Sequence, residues 1–311
     1  MSLVVWIAIH QCSIHGSLAY MDDNFGFDPD RALTTYKPYR ISMPKKQAAL
    51  LTLWDELPES SQLLVAAIRE FVHNAPQRRR TLREWQQILG WINWGLNVQP
   101  LLKPALQSCY DKISQRFIPS ARIYLNKRTT RDLLWIANRF EHYDGVYLLK
   151  AITWSPQHAD VTVFCDASLS GLGFWSPRPP GFAFAADRPD APLLVEDNIF
   201  WYEALTVLSA LHWAVTLSPQ PFRIAIFSDN LNTVQMFDSF RAKEPYLDIL
   251  LSAVEILISQ QVDLRVWHIP GERNTIADAL SRQLFTTVAQ YAPFLKICTF
   301  QPPQLTSGLC E

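Results

Sequence analysis

The feature that most constrains the fold of this chain is a set of four acidic residues in its C-terminal half. Asp166 and Asp229 each end a run of β-branched and aromatic residues, VTVFC and RIAIFS, and such runs are typical of buried strands. Glu203 and Asp278 lie in segments whose apolar residues recur at helical spacing. Carboxylates that meet at one place repel each other unless a cation neutralises them. The pattern therefore predicts a divalent-metal site and metal-dependent cleavage of phosphodiester bonds.

The segment that follows Val161 has the pattern of a mixed domain of strands and helices. The predicted elements, in chain order, are strands VTVFC, GLGFW and GFAFAA, a helix over 198–217, strand RIAIFSD, helices over 230–240 and 245–260, strand VDLRVWHIP and helix NTIADALSRQL. Gly171 and Gly173 permit a close approach of the backbone beside a metal site. Asn274 is a candidate N-cap of the last helix. We expect the tail, 285–311, to be a poorly ordered extension.

Four motifs around the acids resemble the ribonuclease H domain of retroelement reverse transcriptases. They are CDAS with GLGFW, WYEA, SDN and HIPGERNTIADALSR, and they occur in family order over roughly Asp160 to Gln283. The similarity is strongest to the tyrosine-recombinase (DIRS-like) class of retrotransposons. The resemblance implies a ribonuclease-H-like fold over 159–284, of α/β or α+β class, with a mixed five-stranded sheet and flanking helices.

The same resemblance implies a chemistry. Members of the family hydrolyse RNA in RNA–DNA hybrids, and by resemblance Asp166, Glu203, Asp229 and Asp278 are the catalytic residues and the ligands of two Mg²⁺ ions, with Mn²⁺ as a possible substitute. Asp166 is the expected bridging ligand because it ends the first, central strand. For Asp278, a surface pair with a nearby arginine is the competing interpretation. We do not predict a catalytic role for His268.

A second resemblance lies near the start of the chain, where LAYMDDNFG is similar to the Tyr-x-Asp-Asp turn of the reverse-transcriptase palm. The residues of that turn are Tyr20, Met21, Asp22 and Asp23. The segment TLREWQQILGWINWGLNVQPLLKPALQSCYDKI resembles the helical thumb or connection of the same enzymes. We therefore predict a partial palm over 1–58 and a helical thumb or connection over 59–158. The chain begins nineteen residues before Tyr20, so we expect a further palm aspartate and the fingers to be missing, and no DNA synthesis from this chain.

Other polar residues are candidates for contact with nucleic acid. Ser168 follows the first acid, and Asn230 and Asn232 follow the third, where they would meet phosphate or the 2′-hydroxyl that distinguishes RNA from DNA. An N-cap of the short helix is an equally good interpretation of Asn230. The predicted partner is an RNA–DNA hybrid or another nucleic acid.

Composition limits the class of protein. The 311 residues are 49% hydrophobic and carry a net charge of −1, which is typical of a globular protein with about two compact units. This balance is not that of an autonomous nucleic-acid binder, which is usually basic. The charge is uneven, however, because basic residues cluster over 112–139 and in the run Arg78, Arg79 and Arg80. Each cluster is either a solvated helix face or a phosphate contact.

Five widely spaced cysteines predict neither a zinc site nor a disulfide framework, and they favour reduced thiols in an intracellular protein. The start of the chain lacks the basic region of a secretory signal, and polar residues interrupt its apolar run, so a palm strand is the better interpretation. No stretch reaches the ~20 apolar residues that a membrane span needs. The sequence does not indicate an oligomeric state.

Two other functions fit part of the pattern. A decayed or domesticated copy of a retroelement would keep the fold and the acids, yet be inert or only bind nucleic acid. A transposase or integrase core shares the fold. The glutamate on the helix directly after the three strands, together with the closing ADALSR, argues against that last interpretation.

Overall fold

The computed structural model divides the chain into two compact units, Met1–Lys150 and Ala151–Glu311. The residues it describes are 17–20, 23–26, 33–36, 40–44, 58–96, 99–142, 154–190 and 198–305. Among these residues, no helix has both the length and the apolar character needed to cross a membrane.

The first unit consists of short antiparallel strand pairs and helices. Its elements are β1 (Ser17–Tyr20), β2 (Asp23–Gly26), β3 (Leu33–Tyr36), β4 (Ile41–Pro44), α1 (Pro58–His73), β5 (Arg79–Thr81), α2 (Leu82–Gly95), α3 (Gln107–Ile113), β6 (Arg122–Tyr124) and α4 (Lys127–Glu141). The strands pair as β1 with β2, β3 with β4 and β5 with β6, each pair antiparallel.

The helices of the first unit form its core. Helix α2 begins at a capping box, in which Thr81 and Glu84 satisfy each other's backbone amides. Apolar residues at helical spacing, such as Trp85 and Ile92, then turn one face of the helix inward and are fully buried. Helix α1 packs against α4, and an ion pair between Arg69 and Glu141 joins them.

The second unit is a mixed sheet with helices. Its elements are β7 (Val161–Ala167), β8 (Gly171–Ser176), β9 (Phe182–Asp187), α5 (Ile199–Ala214), β10 (Arg223–Ser228), α6 (Leu231–Ser239), α7 (Leu247–Ser259), β11 (Asp263–His268), α8 (Thr275–Ser281), α9 (Phe285–Tyr291) and β12 (Lys296–Thr299). From β7 to α8 this is the predicted order of three strands, helix, strand, two helices, strand and helix.

The sheet has six strands in the spatial order β11-β10-β7-β8-β9-β12. Strands β7, β8 and β9 are antiparallel neighbours, whereas β10 runs parallel to β7 and β11 runs parallel to β10. Strand β7 therefore lies inside the sheet, and its carboxyl end points the same way as the carboxyl ends of β10 and β11. This arrangement brings residues that follow these three strands to one edge.

The tail beyond residue 284 differs from the expected poorly ordered extension. Helix α9 places Val288 in an apolar cluster with Ala183 and Leu280, and β12 pairs in parallel with β9 as the sixth strand. Ile297 packs against the same cluster. The prediction of a five-stranded sheet was therefore one strand short, because the tail gains backbone pairing and apolar burial at the β9 edge.

Helix α5 forms within the predicted range 198–217 and is buried on almost every side. It packs against β7, β8 and β10 on the sheet and against α6 and α7 away from it. Residues on both sides, such as Leu205 and Leu208, are 2% exposed or less. A helix enclosed in this way has apolar residues all round, so any carboxylate that it carries is held away from bulk water.

Candidate metal-binding active site

Two aspartates are brought level by the parallel register of β7 and β10. Phe227 pairs with Phe164 in that register, and Asp229 and Asp166 each lie two residues further along their strands. Asp166 is the sixth residue of β7, and Asp229 directly follows β10. Because the strands are parallel and adjacent, the two carboxylates emerge side by side at the carboxyl edge of the sheet.

The third carboxylate comes from helix α5, which lies on the sheet. Glu203 approaches Asp166 and Asp229 so that one carboxylate oxygen from each of the three lies within 4.8 Å of the others. Asp166 is 4% exposed and Glu203 is 3% exposed, whereas Asp229 is half-buried. Three acids are thus gathered into a small volume, two of them almost out of contact with water.

Hydrogen bonds hold the two buried acids in place. The hydroxyl of Ser281 donates to Asp166 Oδ2 at 2.5 Å. The backbone N–H of Ala167 donates to Glu203 Oε1, and the hydroxyl of Ser228 donates to Glu203 Oε2, both at 3.2 Å. Within the described part of the chain, no hydrogen bond reaches Asp166 Oδ1, which leaves this oxygen available to a cation.

The environment disfavours negative charge on all three acids. Burial, opposed by the Ser281 hydrogen bond and reinforced by Asp229 and Asp278, raises the pKa of Asp166 to about 7. Burial and the charge of Asp166 raise the pKa of Glu203 well above its ordinary value. Burial and the charge of Asp278 raise the pKa of Asp229. A carboxylate in such surroundings is stabilised when a cation takes the place of the missing water.

The structure does not bring the fourth predicted acid, Asp278, into the group of three. Its Oδ1 accepts a hydrogen bond of 2.7 Å from Arg282 Nε one turn later on α8, and the two side chains are 42% and 56% exposed. This is the surface pair that the sequence left open as an alternative. Asp278 still lies close enough to raise the pKa of both Asp166 and Asp229.

Helix α8 lies unusually close to the sheet beneath it. A Cβ at Gly173 would come within 2.6 Å of Leu280 Cβ and of Ser281 N, so only glycine permits this approach. Asn274 donates from Nδ2 to the carbonyl of Cys165 at 2.8 Å and makes no side-chain cap, contrary to the expectation for it. Backbone approach and hydrogen bonding thereby fix α8, and with it Ser281, over the strand that carries Asp166.

The polar residues predicted to contact nucleic acid in this unit have mixed surroundings. The hydroxyl of Ser168 donates to Ser281 O at 2.8 Å and accepts from two backbone amides, which uses its hydrogen-bonding capacity. Asn230 Oδ1 accepts from Thr233 N at 3.0 Å and so caps α6. Asn232 is exposed on the first turn of that helix.

The basic run of the first unit is divided between the interior and the surface. The guanidinium of Arg80 donates to the carbonyls of Glu70 and Phe71, whereas Arg78 and Arg79 are exposed. The Tyr-x-Asp-Asp turn falls largely outside the described residues. Met21 and Asp22 are not described, and the backbones of Tyr20 and Asp23 end β1 and begin β2.

Three residues near the acids were not predicted from the sequence as parts of the site. Ser281 bonds to Asp166, and a Cβ at Gly271 would lie 3.0 Å from Asp229 Oδ2, so the loop after β11 closes over that acid. His268 ends β11 opposite Ser228, and it lies close enough to Asp229 to oppose the rise in the pKa of that acid. The parallel pairing of β10 with β11 was the available indication for His268, because it places the ends of both strands at the same edge.

The donor set fits a hard divalent cation. Asp166, Glu203 and Asp229 offer only carboxylate oxygens, the ligand type that Mg²⁺ and Mn²⁺ prefer. Mg–O distances of about 2.0–2.1 Å place two ligand oxygens of one ion roughly 3–4 Å apart, which is compatible with oxygens that all lie within 4.8 Å of one another. The three acids can therefore hold a metal ion.

No protein-family model matches the sequence, and no curated protein matches it. Solved structures similar to the chain include RNase H1 from the halophilic archaeon Halobacterium salinarum NRC-1, with 17% identity and a TM-score of 0.32 over 40% of this chain and 97% of that one. Another is the N-terminal RNase H domain of rv2228c from Mycobacterium tuberculosis, solved as a fusion with maltose-binding protein, with 20% identity and a TM-score of 0.28 over 42% of this chain and 99% of that one.

Proposed function

We propose that the second unit is a ribonuclease H that hydrolyses RNA in RNA–DNA hybrids with the help of Mg²⁺. The observation that carries the proposal is the meeting of Asp166, Glu203 and Asp229 oxygens within 4.8 Å at the edge of the sheet. Sequence motifs add the substrate class, because CDAS, WYEA, SDN and ADALSR resemble the ribonuclease H domain of retroelement reverse transcriptases in family order.

Asp166, Glu203 and Asp229 would hold the metal, with Asp278 as a further ligand once it leaves Arg282. A bound divalent cation supplies charge stabilisation for the phosphate that is attacked and favours ionisation of the attacking water. The protein supplies positioning. Ser281 holds Asp166 by one oxygen, and two donors hold Glu203 by both of its oxygens, so the acids need little rearrangement when substrate arrives.

The products follow from the bond that breaks. Water adds its oxygen to the phosphorus of the RNA strand, one P–O bond of the phosphodiester is cleaved, and the leaving oxygen takes a proton. The edge of the sheet suits a polymeric substrate, since Asp229 is half-buried and the Asp278 side chain is 42% exposed. An RNA strand can therefore reach the acids without entering an enclosed pocket.

We infer that this unit belongs to a retroelement reverse transcriptase of the tyrosine-recombinase class, with a partial palm over 1–58 and a thumb or connection over 59–158. The support is the Tyr-x-Asp-Asp segment and the helical segment from residue 81, which resemble those parts in family order. The meeting of three of the four predicted acids favours an active enzyme over an inert copy, because an inert copy has no need of crowded carboxylates.

The test is cleavage of a labelled RNA–DNA hybrid by the purified chain, compared with RNA duplex, DNA duplex and single-stranded RNA. We expect hybrid-specific cleavage that requires Mg²⁺ and stops with a chelator. The variant Asp166→Asn should lower the rate by roughly 10²–10³-fold, since metal-assisted charge stabilisation contributes several kcal/mol. The matched variant Asp238→Asn, at an exposed carboxylate on the last turn of α6, should cleave at the parent rate. Absence of Mg²⁺-dependent cleavage by the parent chain would refute the proposal.

A further inference from the structure

The first unit contains a concentration of positive charge that hydrolysis in the second unit does not explain. Between residues 74 and 131 the sequence has eleven basic side chains and two acidic ones, Glu84 and Asp111, although the whole chain has a net charge of −1. Glu84 is already bonded to Arg80 and Thr81, and Asp111 accepts from Gln107. Asp132, directly after this stretch, pairs with Arg128 and Arg131. Eleven basic and three acidic side chains over residues 74–132 still leave an excess of eight positive charges.

Part of that charge is displayed on a two-stranded ribbon formed by β5 and β6. Arg79 pairs with Tyr124, and Thr81 pairs with Arg122. Side chains of paired residues lie on the same face, and successive residues alternate between faces. Arg79, Tyr124 and Arg122 consequently share the outer face, where all three are exposed.

The inner face of the ribbon is used for packing. The middle residues of the two strands, Arg80 and Ile123, pair with each other. Ile123 is buried. Arg80 donates to the carbonyls of Glu70 and Phe71 and pairs with Glu84. Arg80 thereby ties the ribbon to α1 and α2, and the outer face is left for other contacts.

The outer face combines charge with an aromatic ring. The Tyr124 side chain is 46% exposed, and the guanidinium of Arg78 lies 5.6 Å from its ring centroid. This cation–π contact restrains the ring without covering it entirely. Among the residues that the structure describes, neither Arg79 nor Arg122 forms an ion pair with a carboxylate.

We propose that the outer face of the β5–β6 ribbon, formed by Arg79, Arg122 and Tyr124, binds a single-stranded segment of nucleic acid. The two guanidinium groups would contact successive phosphates, and a base would stack on Tyr124. Basic side chains beside an exposed aromatic ring are the combination that single strands recognise. A duplex keeps its bases stacked inside and cannot use the tyrosine in this way. The inference does not depend on the proposed hydrolysis.

The experiment measures fluorescence anisotropy of a labelled single-stranded oligonucleotide with the full chain. A chelator is present, which removes divalent cations and prevents cleavage. The variants are Tyr124→Leu, Tyr124→Phe and the double variant Arg79→Gln with Arg122→Gln. The matched control is Lys103→Gln with Lys243→Gln, which removes two exposed positive charges outside the β5–β6 ribbon. A blunt duplex, heparin and polyglutamate serve as competitors. Thermal unfolding of each variant verifies that it is folded.

We expect Tyr124→Leu to weaken binding by about 5- to 150-fold, the range found when a stacking aromatic is removed, and Tyr124→Phe to bind as the parent does. The double arginine variant should lower the slope of log K against log salt by about 1.4, since each phosphate contact on a single strand contributes about 0.7. The lysine control should change neither quantity.

Parent-like binding by a folded Tyr124→Leu variant would overturn the proposal, because the charge alone would then be responsible. Equal competition by heparin or polyglutamate would also overturn it in favour of a general polyanion or acidic-protein surface. A chain that cleaves no hybrid yet shows the expected loss with Tyr124→Leu would refute the nuclease proposal and support this one. A chain that cleaves hybrid but binds no single strand would do the reverse.

Discussion

The acidic site of the second unit and the basic ribbon of the first unit both concentrate charge of one sign, but they differ in burial. Asp166 and Glu203 are 4% and 3% exposed, whereas Arg79 and Arg122 are exposed on the ribbon. Water screens exposed like charges, so the ribbon is stable without a ligand. Buried carboxylates have little water to screen them, so their charged forms are disfavoured and the pKa values of Asp166 and Glu203 are raised.

The difference separates two kinds of binding site. The acids form a site whose empty state is strained by repulsion, so metal binding should also stabilise the fold. The arginines form a surface whose empty state carries no such strain, so nucleic-acid binding there should depend on salt and leave stability nearly unchanged. Each of the following predictions concerns this contrast between a tightly packed, charged interior and an exposed, charged surface.

The largest effect is expected in the stability of the metal-free second unit as a function of pH. Asp166 has a pKa of about 7 in the folded chain and 3.8 ordinarily, so folding favours its protonated form. The contribution of protonated Asp166 to the free energy of unfolding is fully present below about pH 4, and it is lost as the pH rises to about 7. At pH 8, metal-free Asp166→Asn should therefore be more stable than the parent by about 2–4 kcal/mol.

The measurement is hydrogen exchange of the β7 amides in a chelator at pH 5 and pH 8, after correction for intrinsic exchange rates. The ribbon variant Arg79→Gln is the control, and its effect should stay within about 0.5 kcal/mol at both values because it is an exposed substitution. If Asp166→Asn were no more stable than the parent at pH 8, the acids would not be strained in the metal-free fold.

The positions of Asp166 and Asp229 at strand ends could be predicted from the sequence, because β-branched runs mark β7 and β10. The parallel pairing of these strands then places the two acids together. For Asp278 the sequence left two interpretations open, a metal ligand and a surface pair with an arginine, and it did not decide between them. The structure has the pair with Arg282, because a side chain four residues away on a helix competes with a distant metal site. Strand β12 was missed because its pairing with β9 is a long-range contact that a short apolar run does not reveal. The run of three arginines looked uniform, yet the period of two in β5 directs Arg80 inward and Arg79 outward.

A smaller effect on stability is expected from adding a methyl group between α8 and the sheet. Gly173→Ala would place a Cβ 2.6 Å from Leu280 Cβ and from Ser281 N, so α8 must shift. Overpacking of this kind typically costs about 1–3 kcal/mol, and it would also move Ser281 away from Asp166. We expect exchange of the β8 amides to accelerate and hybrid cleavage to fall. Unchanged cleavage in a destabilised variant would show that the position of α8 does not matter for activity.

Removing the Ser281 hydroxyl should weaken metal binding without unfolding the chain. Ser281→Ala deletes the hydrogen bond to Asp166 Oδ2 and the one to the Asp278 carbonyl. Loss of a group that orients a metal ligand costs at least about 10-fold in metal affinity, which calorimetric titration with Mn²⁺ would detect. Ser252→Ala, which removes a helical serine bonded to the Asp248 carbonyl on α7, should bind the metal as the parent does. Equal affinity of the two variants would assign Ser281 a purely structural part.

The smallest effect is expected in the first unit, where one helix offers a matched pair of glycines. A Cβ at Gly90 meets nothing within 4 Å, whereas a Cβ at Gly95 would lie 2.7 Å from the Phe140 ring. Gly90→Ala should stabilise α2 by about 0.5–1 kcal/mol, because alanine loses less backbone entropy in a helix. Gly95→Ala at the end of the same helix should destabilise it instead. Hydrogen exchange of the α2 amides measures both, and neither change should alter metal binding by the acids. Destabilisation by Gly90→Ala would mean that the space beside this helix is filled, and that the first unit is packed as tightly there as the second unit is beneath α8.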